Sequence, residues 1–521
     1  NDSSSYGYIP EIPRLFLRSH IFGGSHVRDE RKVYVFNSEI KKFEKRSITT
    51  PKLEERLFLE ILSNALDNSF KSQRMGFQFP PLEITMSADT ICIKSGGIPV
   101  PVDIHEYFYC QNPIQFGTVA ELIFGVVGAG GNTDDRKSKQ GGGQNGYGAK
   151  LTNVFSRYFE VEIGDNIRGF HQKVIWRKNM MEKVSSVLTP SQFSYTTTPD
   201  DKGKFHIFPA NQNERYQGPN FVKVTWKQDF RKFGIDYFSK DDMELYMKYA
   251  IEACFIGKFP VIFNDLTLDY RSAQSYLGLY PKDVIKSSLI HYEFFTPVTI
   301  SGKQLEDAIA NLQIIPTLEL VVLDTPNEGM HISYCNGINN FEGGAHTDTS
   351  YRELLGTVKD LIASSKSFTK DIDMGKVNIG DLKKQISIIV NYKCNDPEFK
   401  GQDKEKLVKP APKITIKAEE ASKMKKWAVI NGIYTILSGK HLKGLEGKGL
   451  KGRIKDDFNF RDANWFGTNK QHETVLILCE GNSAGSYILK WILATPERKD
   501  KYAVMLLRGK FKNVTDVDRS E

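Results

Sequence analysis

Two short stretches carry residue types that could do chemistry together. The first is "GGGQNGYGAK", residues 141–150, where five glycines alternate with amides, a tyrosine and a lysine ahead of a helical segment. Glycine admits positive φ, so successive amide N–H groups can turn inward around an anion. A helix opening just after it adds unpaired N–H groups and a partial positive charge, and Lys150 adds a whole one. The second stretch is "EILSNALDN", residues 60–68. On a helical wheel Glu60, Asn64 and Asp67 share a sector of about 60°, opposite Leu57, Phe58, Ile61, Leu62, Ala65 and Leu66. A solvated polar face would account for such a sector. An asparagine in mid-helix is a weak helix former, however, and a glutamate one turn before it is the type that activates a water.

The glycine loop fits neither of the two common nucleotide motifs. "GGGQNG" matches the letters of the dinucleotide fingerprint, but a polar loop, residues 128–148, stands where a strand should directly precede it. The P-loop pattern fails because Ala149 separates Gly148 from Lys150 and Leu151 stands where a Ser or Thr should meet Mg²⁺. A plain linker would lack the anchors Asn145 and Tyr147 and the following helix. A phosphate-binding loop of another type is the reading that remains.

Residues 51–70 form an amphipathic helix, and 82–100 alternate as two strands around a turn at Ala88-Asp89. Residues 119–127 are helical or buried, 149–158 are helical, and 159–164 form a strand. From 203 to 270 strand-like segments alternate with a helix at 240–255. The pattern restarts near 285–300, with a helix at 350–364 and a strand at 383–392. Residues 414–438 read as one long helix, and the Gly- and Lys-rich 439–455 as a linker, either a solvated hinge or a phosphate-contacting segment. A last unit opens with a buried strand at 473–481, a helix after Ser483 and a strand at 502–507. The mixture indicates an α+β protein.

A length of 521 residues implies two to four domains. A hydrophobic fraction of 40% with 26% charged residues is that of a folded soluble chain. No apolar run approaches the length of a membrane span, and the start has no leader pattern. The chain does not begin with Met, which reads as processing or trimming. Six cysteines without a CxxC pair argue against a zinc or disulfide framework and for buried thiols in a reducing, intracellular compartment. The net charge of +8 permits a nucleic-acid partner without requiring one.

"EILSNALDN", "GGIPV" (96–100) and "LIFG…GGNTDD…GGGQNGYGAKLTNVFS" follow the order and spacing of the GHKL (Bergerat) ATPases. The long form "GGGQNGYGAK" resembles the eukaryotic and viral type IIA DNA topoisomerases in particular. "ISYCNGINNFEGGAH" (332–346) and "NDPEFKGQDKEKL" (395–407) are similar to that family's transducer domain. "RDANWFGT" (461–468), "LILCEGNSAG" (476–485) and "DKYAVMLLRGKFKNV" (500–514) resemble the opening of its Toprim domain.

The resemblance implies a layout: an N-terminal arm (1–50), a GHKL α/β sandwich ATPase domain (51–285), a transducer α+β domain (286–435), a linker (436–470) and an incomplete Toprim α/β unit (471–521). It makes Glu60 the general base for the water that attacks the γ-phosphate. It makes Asn64 the ligand of an ATP-bound Mg²⁺. Asn68, Ser95, Gly130, Gly131 and Asn132 line the nucleotide, and Gly143, Gln144, Asn145, Gly146, Tyr147, Gly148, Ala149 and Lys150 wrap the triphosphate. Gln402 and Lys404 form a switch loop, with Lys404 reaching the γ-phosphate. Glu480 is the Toprim glutamate acting with a second Mg²⁺, and Arg508 and Lys510 sit near DNA phosphate.

Five departures stand out. "IKSGGIPV" lacks one residue of the family pattern, with Lys94 or Ser95 where the adenine anchor belongs, so the base is met by Ser95, by Asp89 or by water. Gln144 stands where a cation is frequent, and Asn482 where Asp is usual. By the resemblance, the second metal motif of the Toprim domain has no counterpart before residue 521, and none of the tyrosines is assigned the role of nucleophile. The chain is therefore expected to hydrolyse ATP and dimerise, through an exchanged N-terminal arm, to capture double-stranded DNA, but not to cleave DNA alone. The rest of the topoisomerase, on the same chain or a separate subunit, would supply cleavage. The alternatives are another GHKL ATPase, a mismatch-repair or chaperone-like clamp, and a non-hydrolysing nucleotide-gated structural clamp.

Overall fold

A computed structural model describes residues 8–105, 117–130, 146–196, 206–281, 289–295, 316–327, 329–365, 375, 377–401, 404–446 and 460–507. The chain divides into two compact units, Asn1–Gly439 and Lys440–Glu521. The first opens with helices α1 (Glu11–Leu17) and α2 (Ser19–Phe22) and a hairpin of β1 (Arg31–Asn37) and β2 (Lys42–Ile48). Helix α3 (Lys52–Arg74) carries Glu54 and Glu55 in its first turn and Lys71 and Arg74 in its last, the order its dipole favours. Its apolar stripe enters the core, where Phe58 stacks on Tyr246 with ring centroids 4.3 Å apart.

Strands β3 (Leu82–Met86) and β4 (Thr90–Gly96) form the expected hairpin, followed by α4 (Val119–Gly125) and α5 (Gly148–Val154). A meander of β5 (Ser156–Asp165), β6 (Phe170–Arg177) and β7 (Glu182–Thr189) comes next, then a small pair, β8 (Phe193–Tyr195) and β9 (Ile207–Pro209). Strand β10 (Phe221–Gln228), helix α6 (Lys240–Gly257), β11 (Val261–Phe263), β12 (Leu266–Leu268) and α7 (Ala273–Leu277) finish this part. Helix α6 starts on a capping box in which Ser239 N–H donates to Asp242 (2.7 Å) and Asp242 N–H to Ser239 (3.2 Å). Eight strands form one sheet in the order β12-β11-β3-β4-β10-β5-β6-β7, antiparallel except between β11 and β3. Helix α3 packs on β4 and against α5 and α6. The helix predicted over 149–158 ends at Val154, because Ser156–Tyr158 pair with β10 and Tyr158 also with β6. Ladder hydrogen bonds there replace another helical turn.

The second half of this unit contains β13 (Leu289–Phe295), β14 (Thr317–Asp324), β15 (His331–Cys335), β16 (Ile338–Asn339), β17 (Gly343–Gly344), α8 (Ala345–Ala363), α9 (Ile379–Lys383), β18 (Ile386–Lys393), β19 (Glu398–Phe399) and β20 (Lys406–Lys409). They build a sheet β13-β14-β18-β15-β16 and a small sheet β17-β20-β19. Leu318, Leu320, Val390, Leu354 and Val358 form its own core. Val321, Leu323, Tyr334 and Ile389 pack instead into the core of the eight-stranded half. The single helix predicted over 414–438 is broken. Short α10 (Ala418–Ala421) passes into a 3₁₀ turn (Ser422–Lys426), and Trp427 is extended before α11 (Ala428–Glu446) begins. The cause is tertiary: the Asp324 carboxylate accepts from the N–H groups of Ala428 (2.6 Å) and Val429 (3.1 Å) and so caps a fresh helix start. Helix α11 also runs through Glu446, into the segment predicted as a linker.

The second unit is a three-stranded sheet, β21 (Phe460–Arg461), β23 (Tyr502–Leu507) and β22 (Val475–Glu480) in that spatial order, with α12 (Gly481–Leu493) and α13 (Pro496–Lys501) between β22 and β23. Strand β22, predicted as buried, is largely exposed at Val475, Leu476 and Leu478. It lies at the sheet edge, and Cys479 is its one residue in the small core with Ile492 and Val504. Among the described residues no helix is long and apolar enough to cross a membrane.

Candidate active site

In the polar sector of α3 Glu60 is buried, Asp67 half-buried and Asn64 exposed. The sector forms one wall of a cavity of about 270 Å³ lined also by β4, α4, α5, β10 and Lys404. Glu60 lies at the wall and is 5% exposed. Arg56, one turn earlier, places Nη2 2.5 Å from Glu60 Oε1, and Lys404 places Nζ 3.7 Å from the same oxygen. Burial pushes the Glu60 carboxyl up, but the Arg56 and Lys404 charges outweigh it and hold the group below its ordinary value. It is therefore a carboxylate at neutral pH, suited to orienting a water and accepting its hydrogen bond. Asn64 and Asp67 also line the cavity.

Helix α5 brings the glycine-loop residues to this wall. Thr152 Oγ1 donates to the Leu57 carbonyl (2.9 Å) and Asn153 Nδ2 to the Phe124 carbonyl (3.1 Å), fixing α5 against α3 and α4. Gly148 lies so close to α3 that a Cβ there would enter the Glu60 carboxylate. Gly146 has φ +64°, and a Cβ would strike the Ala129 carbonyl. Both positions need glycine for close approach. Lys150 is 2% exposed and donates to the Ala129 carbonyl. Desolvation brings its pKa down to about 7. No carboxylate pairs with it among the described residues, so the group is a buried amine that an anion would recharge.

Ile93, Val100, Ile123, Phe124, Val222 and Val224 supply an apolar stretch of the lining, and Ser95 a hydroxyl. Asn68 Nδ2 donates to the Gly96 carbonyl (3.2 Å) and to Ser95 Oγ (3.5 Å). The strand alternation resolves two of the alternatives left by "KSGG". Ser95 faces the cavity, whereas Lys94 pairs with Glu83 at 3.3 Å. Asp89 sits in the β3–β4 turn, bonded to Thr90 and Lys227, and does not line the cavity.

Of the residues singled out in the sequence, Glu60, Asn64, Asn68, Ser95, Gly130, Gly146, Tyr147, Gly148, Ala149, Lys150 and Lys404 converge on this one cavity. Gly131, Asn132, Gly143, Gln144, Asn145, Gln402, Arg508 and Lys510 lie outside the described residues. Glu480 ends β22 in the second unit, exposed, and its side chain makes no capping bond to α12. The site residue that sequence reasoning missed is Arg56. Its i,i+4 spacing to Glu60 was the available signal.

The family model of DNA gyrase B matches residues 275–429. A DNA topoisomerase 2 from Pisum sativum is 26% identical over 522 residues, covering 98% of this chain and 32% of that protein. A mitochondrial DNA topoisomerase 2 from Dictyostelium discoideum is 28% identical, covering 89% and 33%. The chain thus spans about a third of the length of these relatives. The ATPase region of Saccharomyces cerevisiae topoisomerase II, solved bound to ICRF-187 (dexrazoxane), superposes with a TM-score of 0.66 at 22% identity, over 84% of this chain and all of that one. The ATPase and transducer domains of DNA topoisomerase II from Balamuthia mandrillaris give 0.68 at 21%, over 85% of this chain and all of that one. The α+β fold read from the sequence is the fold of those regions, and the chain is similar in sequence to the type II DNA topoisomerases.

Proposed function

We propose that this chain is the ATP-hydrolysing clamp of a type II DNA topoisomerase. The observation that carries the reading is the convergence of one buried carboxylate, Glu60, and two buried lysines, Lys150 and Lys404, from distant parts of the chain on a single cavity. Lys150 and the N–H groups at the start of α5 would receive the triphosphate oxygens. The apolar stretch beside Ser95 would take the base, with the serine hydroxyl as its polar contact. Asn64 would offer its amide oxygen to a Mg²⁺ that arrives with the triphosphate and neutralises its charge. A single protein oxygen suits Mg²⁺, which keeps phosphate and water as its other ligands. Glu60 would orient the attacking water, and Lys404 would exchange its contact with Glu60 for the γ-phosphate. Because Lys404 comes from the second half of the unit, that exchange would tie the position of this half to the state of the nucleotide.

Nucleotide-driven dimerisation and capture of a DNA duplex follow from the same reading, as do a homodimeric, intracellular protein and a partner region that completes DNA cleavage. Phe16 and Phe22 of the N-terminal helices stack on Phe155 (5.1 Å) and on Tyr147 of the cavity wall (5.6 Å), which supports a link between the arm and the cavity. Glu480 would serve a second Mg²⁺ in the Toprim unit, and Arg508 and Lys510 would approach DNA. The test is ATP turnover with and without duplex DNA. DNA-stimulated hydrolysis is expected, and Glu60→Ala should reduce it by about 100-fold or more while a fluorescent ATP analogue still binds. Normal turnover in that variant would remove Glu60 from the chemistry, and no turnover in the parent protein would favour a non-hydrolysing clamp.

A further inference from the structure

Lys404 reaches Glu60 from a backbone that an ordinary side chain rarely adopts. Its φ is +55°, in the left-handed region, and it is 5% exposed. A non-glycine residue holds that conformation where neighbouring groups fix it. Its N–H donates to the Gly401 carbonyl at 3.1 Å. Its own carbonyl accepts from Asn340 Nδ2 at 2.8 Å. Asn340 is fully buried, between β16 and β17, and is itself anchored. Its N–H donates to the Ser333 carbonyl (2.8 Å), and its carbonyl accepts from Ser333 Oγ (2.7 Å) and from Gly343 N–H (2.8 Å). Alongside, Glu342 N–H donates to the Glu405 carbonyl (2.9 Å), and β17 pairs in parallel with β20. The segment 340–344 therefore grips 404–407 from one side.

We propose that Asn340 is a positioning residue for Lys404, its carboxamide holding the left-handed turn that aims the Lys404 ammonium into the cavity. The residue type fits the task. Only a donor can serve the Lys404 carbonyl, and Asn340 Oδ1 has no partner among the described residues, so the amide acts through its N–H. Removing the donor would let the turn relax toward commoner φ values and swing Nζ away, with no loss of any group that touches nucleotide.

The inference rests on the hydrolytic reading of the site, and the test keeps the two apart. ATP turnover and binding of a fluorescent ATP analogue are measured in the parent protein, Asn340→Leu, Lys404→Ala and the double variant. Leu keeps the γ-branched shape of Asn, although it is larger, and removes both the donor and the orphan Oδ1. Asn340→Leu is expected to lower kcat by about 5- to 30-fold with nucleotide Kd within about 2-fold, and to add nothing on the Lys404→Ala background. Asn340→Ala is read in the same cycle if the Leu variant does not fold. An unchanged kcat, an equal fall on both backgrounds, or a parallel loss of nucleotide binding would overturn the assignment. No turnover in the parent protein would instead overturn the hydrolytic reading.

Discussion

Glu60 and Glu480 are both carboxylates picked out by sequence motif, and their surroundings could hardly differ more. Glu60 is buried, touches two cations and faces a cavity into which a glycine-started helix also points. Glu480 stands exposed at the end of an edge strand, with no capping bond to the helix that follows. The first has an electrostatic environment already assembled within one compact unit. The second, among the described residues, has a residue type and a place in the topology. The difference teaches that a motif fixes which group is present, while burial and pairing fix what that group can do.

Lys150→Met tests the cavity side of this contrast most strongly. Removing the buried amine should weaken nucleotide binding by about 10- to 100-fold, the range for a lost charge-assisted contact. The free amine titrates near 7, and bound phosphate would require its charged form. Parent affinity should therefore fall by up to about tenfold per pH unit above pH 7, and the Met variant should show no such slope. Equal slopes in titrations of both proteins would mean that Lys150 does not face the phosphates.

Glu54 sharpens the contrast from within α3. It is buried like Glu60, but Arg28 at 3.5 Å offsets its burial only in part. Desolvation, and then the nearby Asp242 charge, raise its pKa to about 8. The unfolded group titrates near 4.5. Its contribution to stability is thus whole below pH 4.5 and is lost as the pH climbs through 8. Glu54→Gln should gain up to about 5 kcal/mol on the parent between pH 4 and pH 9, and be no more stable than it at pH 4, as read by chemical denaturation. A gain of equal size at both pH values would break the link to ionisation. The smallest effect is expected at the exposed carboxylate: Glu480→Ala should leave ATP turnover within about 2-fold, and a larger fall would show that the two regions act on the same reaction.

Much of the site was legible because its signals are local. The polar sector of α3, the glycines at 146 and 148 and the lysine at 150 lie within one or two helical turns of each other in two short stretches. The Arg56–Glu60 pair has the same character and was open to the same reasoning. What escaped was set by contacts distant in sequence. Strand pairing shortened the helix after Gly148. A carboxylate at the end of β14 started a new helix at Ala428, where the composition ran on unbroken. Strand β22 reads as apolar and buried, yet Leu476 and Leu478 on one face are exposed while Cys479 on the other is buried.

The sequence by itself determined the residue types of the site, the periodicity that puts Glu60, Asn64 and Asp67 on one face, and the glycines without which α5 could not approach Glu60. These are consequences of backbone geometry over a few residues. Only the tertiary structure decided that this face lines a cavity, that Ser95 and not Lys94 enters it, and that Lys150 and Lys404 are stripped of water beside it. The reason is physical. Burial and charge pairing depend on which distant segments pack together, and neither is written in the spacing of residues along one helix.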